Sequence, residues 1–463
     1  MSDVKTYKMM IGGEWVDAVD GETFESMNPF TGKTWALIPK GARADADRAV
    51  AAARKAFETG DWPKMTATQR GHLLRKLGDL IAERAEALAA TEVRDNGKLI
   101  AEMGMQLKYV PQWYYYFGGL ADKIEGAVTP IDKAEHFHYT RHEPLGVVCA
   151  ITPWNSPLLL AAGNTVVLKP SEFTSASSLE YAALFEEAGF PPGVVNVVTG
   201  YGHEIGAALT EHPGVDKITF TGGPETGKRV YATGAAQLKR VSLELGGKSP
   251  NIVFDDCDME NAVKGAISGI FAATGQTCIA GSRLLVQQSI HDEFVDKLVT
   301  LAKTAKMGDP MSMDTQVGPV TTVPQYEKIL SYLDIAKDEG AQVRMGGGKA
   351  VRPECGDGYF VEPTVFTGVN NSMRIAQEEV FGPVLSVIPF KDEEEALHIG
   401  NDVVYGLAAG VWTQSMRRAF TMSEKLRAGS VWVNTYRAVS YMAPFGGFKQ
   451  SGIGRENGQD AIR

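Results

Sequence analysis

The residues of this chain best suited to chemistry are a cysteine, a glutamate and an asparagine, each beside an apolar run. Cys278, in GQTCIAGSR, occupies a small, polar, glycine-bearing segment just before an apolar strand, which suits a thiol at the rim of a cleft. Buried structural cysteines rarely have such neighbours. A free thiol has a pKa of about 8.5, so a nucleophilic Cys278 needs local help to lose its proton. Glu244, in LELGGKSPNIVF, lies between apolar residues and a Gly-Gly turn, a setting that can raise a carboxyl pKa into the range of a general base. From this segment alone a solvated strand-end glutamate is the alternative. Asn155, in ITPWNSP, ends an apolar run, and its amide could donate to an oxygen that becomes negative during acyl chemistry. A turn-forming asparagine is the plainer reading.

FTGGPETGKR carries Gly222, Gly223 and Gly227 between a β-rich run and a helical one. Bare backbone amides at such a helix start suit a pyrophosphate, although a tight strand-to-helix turn uses the same residues. The segment nearly spells the phosphate loop GxxxxGK[ST], but Arg229 stands where the magnesium-binding hydroxyl is required. A nucleoside triphosphatase therefore ranks below a dinucleotide-binding protein.

Elements able to position these residues follow from periodicity. Ala44 to Gly60 and Thr66 to Asn96 have apolar residues at helical spacing, which predicts a largely helical first hundred residues after a short extended start. Beyond them GVVCAIT, NTVVLKP, VVNVVTG, KITFTG and SPNIVF alternate with helical runs, as in a parallel sheet with crossover helices. A second alternating series, from SRLLVQQ to EEALHIGNDVVYGLAAGVWT, predicts another α/β unit, with a ligand cleft between the two. One connection is too short. Only PWNSPLLLAAGN separates the strands ending near Thr152 and starting near Thr165, so either the crossover is abbreviated or residues are absent between Leu160 and Ala161. The second is favoured, and a normal Cα–Cα separation of about 3.8 Å across that bond would argue against it.

Length and composition agree with an enzyme: 463 residues exceed one hydrophobic core, and 44% hydrophobic with 22% charged residues is a globular balance. A net charge of −10 without a long basic block makes nucleic acid an unexpected partner. The start has no apolar leader, and the most apolar stretch, Leu145 to Leu168, is interrupted by prolines and asparagines, so neither export nor membrane insertion is expected. The four cysteines show no metal or disulfide spacing, which fits a reducing cytoplasm.

Taken together, PWN, LKPSE, FTGG, LELGGKSP, GQTC, EEVFGP and PFGGFKQSGIGREN resemble, in order and spacing, the NAD(P)-dependent aldehyde dehydrogenase superfamily over nearly the whole chain. The resemblance implies an α/β fold with a Rossmann-like dinucleotide-binding domain (1–125 and 143–246), a small β oligomerisation arm (126–142), an α/β catalytic domain (247–445) and a C-terminal return (446–463). It makes Cys278 the nucleophile, Asn155 and the Cys278 N–H the oxyanion donors, and Glu244 the base that activates the water releasing the acid. For the cofactor it implies Lys169 at the adenosine ribose, Glu379 at the nicotinamide ribose, Phe381 and Trp154 nearby, and Gly223 at the pyrophosphate. Glu172, three residues after Lys169, can accept from ribose hydroxyls and repel a 2′-phosphate, which favours NAD over NADP. No metal is required. Glu456 is a candidate second carboxylate in proton relay, while Pro444 to Gly447 could simply shape the pocket.

The family's helix between PWN and GN, with its Trp, Lys and Pro positions, is not found in this sequence, and the resemblance implies a tail beyond GREN that would extend past Arg463. The arm, including HFHYTRHEP, remains a means of forming a homodimer or homotetramer, its histidines read as strand alternation. Two alternatives stay open: a CoA-acylating relative, and a non-catalytic structural or binding protein on the same fold. The substrate is left open too, since the aromatic run Trp113 to Phe117 suits either a tunnel for an apolar aldehyde or helix packing, with Ser156 and Ile279 influencing size preference.

Overall fold

VVCAI offers no polar residue to turn toward water, so its stable form is a strand covered on both faces, and Val147–Ile151 is such a strand inside an eight-stranded sheet. The computed structural model describes residues 4–155 and 164–462. In spatial order this first sheet holds Gly452–Ile453, Arg240–Glu244, Lys217–Thr221, Val147–Ile151, Thr165–Lys169, Val195–Val197, Met9–Ile11 and Glu14–Val16. The five central strands run parallel and the flanking ones antiparallel. Register aligns their carboxyl ends: Ile151 lies opposite Lys169 and Phe220, and Thr221 opposite Glu244. The chain segments carrying Asn155, Lys169, Gly223 and Glu244 therefore leave the sheet along one edge.

A seven-stranded sheet follows, ordered Gln342–Met345, Thr364–Thr367, Val384–Phe390, Arg283–Gln287, Pro250–Val253, Ala408–Trp412 and Ser430–Val433, all parallel but the first. Here the amino ends matter. Pro250 lies opposite Arg283, and Thr364 opposite Val384, so the loops bearing Cys278 and Glu379 enter this sheet at the same level as the Gly246-Gly247 turn. Carboxyl ends of one sheet thus face amino ends of the other.

Two expectations about elements need correction. The first forty residues are mostly strand, since Lys5–Thr6, Thr23–Asn28 and Lys33–Pro39 form a small separate sheet and the Gly12-Gly13 turn closes a hairpin. Alternation of buried and exposed residues in TFESMN is the period-two signal that makes the extended start longer than expected. The single helix expected over Thr66 to Asn96 is two, Ala67–Glu83 and Ala85–Asn96, joined at Arg84 (φ −107°, ψ 12°). Thr66 and Gln69 cap the first of them reciprocally, each side chain accepting from the other's backbone N–H. Gly97, at φ +76°, ends the second in the left-handed conformation that glycine adopts most easily. The junction of Leu160 and Ala161 lies outside the described residues, as does Ser156. Among the described residues no helix is long and apolar enough to cross a membrane. In the segment 124–142, Val128 bridges Tyr139, and Phe137 and Tyr139 stand exposed against one another.

Arg283 ties the second sheet together. Its guanidinium is fully buried and donates to the carbonyls of Lys248, Ile399 and Gly400 and to Asn371 Oδ1 at 2.8–3.0 Å. Arg283→Met keeps the aliphatic volume but leaves those acceptors unpaired. It is expected to lower unfolding stability by about 3 kcal/mol or more, given roughly 1–3 kcal/mol for each buried group left unsatisfied. A urea midpoint equal to that of the unaltered protein would show that the tie is dispensable.

Candidate active site

Glycine decides how closely the two sheets approach. A Cβ on Gly246 would stand 2.3 Å from Glu379 Oε2, one on Gly247 2.5 Å from the Cys278 carbonyl, and one on Gly275 2.0 Å from the Gly382 carbonyl. Any side chain at these points would push the Cys278 loop, the LELGG turn and the EEVFGP loop apart. The approach to Cys278 is a left-handed stretch, with φ near +50° at Ala273 and Thr274 and +70° at Gly275. Hydrogen bonds hold that stretch in place: Ala273 N–H donates to Glu102 Oε1 and the Thr274 hydroxyl to the Gly318 carbonyl.

Glu244 ends its strand only 6% exposed, and its Oε2 has no hydrogen-bond partner. Burial, then the charge of nearby Glu456, pushes its carboxyl up to about 9, partly offset by Arg455. Glu456 is itself raised by burial, and accepts from the Thr219 hydroxyl at 3.1 Å. Cys278 is half-buried. Burial first, then the carboxylates of Glu379 and Glu244, pushes its thiol up to about 12. The resting cysteine is therefore a protonated thiol, and its activation depends on a proton acceptor at the site. Asn155 follows the first sheet's central strand, and its Nδ2 donates to the Gln276 carbonyl, two residues before Cys278, at 3.1 Å.

The remaining sequence-predicted residues fall in two groups. Lys169, 1% exposed at the end of its strand, pairs with Glu172 at 3.0 Å. Burial lowers the lysine's pKa; burial would raise that of Glu172, but the Lys169 charge leaves it below the ordinary range. Gly223 caps helix Pro224–Ala236 with no side-chain cap, and a Cβ there would meet nothing within 4 Å. Gly222 N–H donates to the Glu244 carbonyl, which joins this loop to the carboxylate's strand. Across the gap, Glu379 accepts from Gly247 N–H at 2.9 Å, and Trp154 packs edge-on against Phe381 with ring centroids 5.3 Å apart. Phe381 holds φ +59°, with its carbonyl and that of Val380 bound by Gln325.

Sequence reasoning passed over Lys98, Gln276 and Lys248. Lys98 is buried and its Nζ donates to the Asn155 carbonyl. Lys248, also buried, is pushed down to about 7 by burial and by Arg283. A lysine after Asn-Gly or Gly-Gly looks like an exposed turn residue, and only tertiary placement shows otherwise. The aromatic run divides: Tyr114 and Phe117 are buried, whereas Trp113 and Tyr116 pack against Tyr441, and Trp113 Nε1 donates to Asn457.

A thiol, a buried carboxylate and an amide donor come together between two facing α/β sheets, one with a Rossmann-like parallel core. The aldehyde dehydrogenase family model matches residues 15–463, and the chain belongs to that family. A dehydrogenase of Acinetobacter baylyi, acting on (Z)-2-((N-methylformamido)methylene)-5-hydroxybutyrolactone by its name, is 48% identical over 470 residues, covering 99% of this chain and 95% of the relative. Human aldehyde dehydrogenase 1A1 is 47% identical, covering 98% and 92%. Among solved structures, betaine aldehyde dehydrogenase of Staphylococcus aureus in complex with NAD+ superposes with a TM-score of 0.96 at 43% identity, covering 98% and 92%. An aldehyde dehydrogenase of Bacillus cereus, also an NAD+ complex, gives 0.96 at 47%, covering 99% and 94%. The chain is an oxidoreductase that oxidises aldehydes.

Proposed function

We propose that this enzyme oxidises an aldehyde to a carboxylic acid with NAD, Cys278 acting as nucleophile and Glu244 as the base for hydrolysis. The observation that carries the reading is the meeting of Cys278, Glu244 and Asn155 where the two sheets face each other, with Glu244 Oε2 unpartnered. The Cys278 thiol gives up its proton to solvent water as Sγ bonds to the carbonyl carbon and the C=O π pair moves onto the oxygen, which, now negative, accepts from Asn155 Nδ2–H and the Cys278 N–H. NAD, when bound, would supply the acceptor for the hydride that leaves the attacked carbon, and loss of that hydride leaves the acyl group on Cys278 as a thioester. Glu244 then takes a proton from water as its oxygen attacks the thioester carbon; the C–S bond breaks, the acid leaves, and the proton held by Glu244 returns to Sγ to restore the thiol.

The residues present fit the dinucleotide. The uncapped helix start at Gly223, open to solvent, suits a pyrophosphate. Lys169 uses one of its three donors on Glu172 among the described residues, leaving others for the adenosine ribose, and Glu379 offers carboxylate oxygens for the nicotinamide ribose. Trp154 and Phe381 form an apolar wall beside it. Glu172 next to Lys169 disfavours a 2′-phosphate, so Glu172→Gln is expected to narrow the preference for NAD over NADP by about tenfold, roughly 1.4 kcal/mol. An unchanged ratio of kcat/KM values for the two cofactors would remove Glu172 from this role.

Retention of Glu244 in a water-activating position favours hydrolysis over transfer to CoA. Product analysis with and without CoA tests that directly: carboxylic acid at an unchanged rate is expected, and acyl-CoA formation would overturn it. A cytoplasmic dimer or tetramer assembled through the exposed segment 126–142 is the corresponding assembly, with residues 1–125 and 143–246 as the cofactor domain and 247–445 as the catalytic domain; sedimentation of the purified chain as a monomer would reject the assembly.

A further inference from the structure

Behind the Cys278 loop, five residues from four separate segments close a ring of hydrogen bonds. Lys98 Nζ donates to the Asn155 carbonyl, and Asn155 Nδ2 to the Gln276 carbonyl at 3.1 Å. Gln276 Oε1 accepts from Thr321 N–H at 3.0 Å, the Thr321 hydroxyl donates to the Asn96 carbonyl at 2.6 Å, and Asn96 Oδ1 accepts from Lys98 N–H at 2.9 Å, which completes the circuit. Every side chain in the ring outside Asn155 is buried: Asn96 is 1%, Gln276 2%, Thr321 6% and Lys98 7% exposed. Asn96 is itself anchored by its Nδ2, which donates to buried Glu92 at 2.8 Å.

The ring bears on chemistry through a simple count. An amide nitrogen has two N–H groups, and Asn155 commits one of them to Gln276, which fixes the direction of the other. Gln276 sets the side chain, but the backbone of Asn155 lies in a loop with no strand partner, and Lys98 is what grips its carbonyl. We propose that Lys98 is a positioning residue for the oxidation, holding Asn155 so that the second N–H of its amide meets the oxygen of the attacked carbonyl. This rests on Asn155 acting as the oxyanion donor proposed above.

Burial of an ammonium is costly, and the groups facing Lys98 explain how it is retained. Burial lowers its pKa, while Glu92 on helix Ala85–Asn96, Glu102 on helix Ile100–Tyr109 and Cys278 pull it upward and Arg437 opposes them. The two glutamates supply the countercharge that lets a cation sit under the loop. A residue kept only for packing would not need them.

The test is a double-mutant cycle read by the single-turnover rate of NADH formation, which reports formation and oxidation of the adduct before hydrolysis. Lys98→Met, which keeps the aliphatic stem, is expected to slow that rate about 10- to 100-fold, the cost of a small misplacement of a transition-state donor. KM for NAD should stay within about threefold, as ring and cofactor contacts are separate. In an Asn155→Ala background the same substitution should cost less than about threefold, because the group it positions is gone. Equal losses in both backgrounds would overturn the proposal. If Lys98→Met fails to fold, Thr321→Val opens the ring at another link without disturbing a charge. The same loss of effect in Asn155→Ala supports the ring, and additivity overturns it. Asn155→Ala with an unchanged single-turnover rate would instead strike at the oxyanion assignment itself.

Discussion

Cys278→Ala abolishes aldehyde-dependent NADH formation, with an expected loss of roughly 10⁴-fold or more, the scale seen when a covalent nucleophile is removed from a preorganised site. The substitution removes one sulfur from a half-buried position, and the loop around it is held by other groups, the Glu102 and Gly318 contacts and the ring through Gln276. The fold and the affinity for NADH, measured by fluorescence, should therefore be unchanged, which separates loss of chemistry from loss of structure. Full activity in the alanine variant would refute covalent catalysis at this residue. A companion measurement uses the thiol itself. Because burial and the neighbouring carboxylates push Cys278 up to about 12, its labelling by iodoacetamide should accelerate steadily as pH rises from 7 to 9 without reaching a plateau. A thiol inert across that range would favour the non-catalytic reading of the fold.

How much of this was legible in the amino-acid sequence depends on the distance over which each feature is made. The alternation of VVCAI and TVVLK with helical runs led directly to a parallel sheet, because burial on both faces leaves a nearly continuous apolar signature. Cys278, Glu244 and Asn155 were ambiguous one by one, and became candidates through the joint order and spacing of PWN, LELGGKSP and GQTC with the other motifs. The helix from Thr66 to Asn96 was placed but its break at Arg84 was not, since no glycine or proline marks it. Lys98 was invisible for a different reason. Its partners Asn155, Glu92 and Asn96 come from separate segments or the preceding helix, and a lysine after Asn-Gly has the local look of a solvated turn. The acidity of the site was likewise beyond local reading, because the rise of Glu244 comes from enclosure and from Glu456, more than two hundred residues away in the chain. Motif spacing points to the candidate groups, and the tertiary structure sets their protonation.

That protonation governs the second large effect. Glu244→Gln replaces a base with an amide of the same shape that cannot take a proton from water, so hydrolysis of the thioester should slow by about 10²- to 10⁴-fold, the usual worth of a positioned general base. Formation of the thioester does not require that proton transfer. The variant should thus release close to one NADH per active site in a rapid burst and then turn over slowly, with the acyl group retained on Cys278 and visible as a mass increase. The direction with pH follows from the state of the carboxyl. Its folded pKa lies near 9, so at pH 7 most molecules carry the neutral acid, which cannot accept a proton. Steady-state turnover of the unaltered enzyme should rise with pH toward about 9, and the glutamine variant should lose that dependence of the hydrolytic step while its burst still quickens with pH as the Cys278 thiol ionises. Linear NADH formation within threefold of the normal rate, with no burst and no acyl adduct, would assign the hydrolytic base elsewhere. Glu456, close enough to raise Glu244 and held by Thr219, is then the carboxylate to replace next.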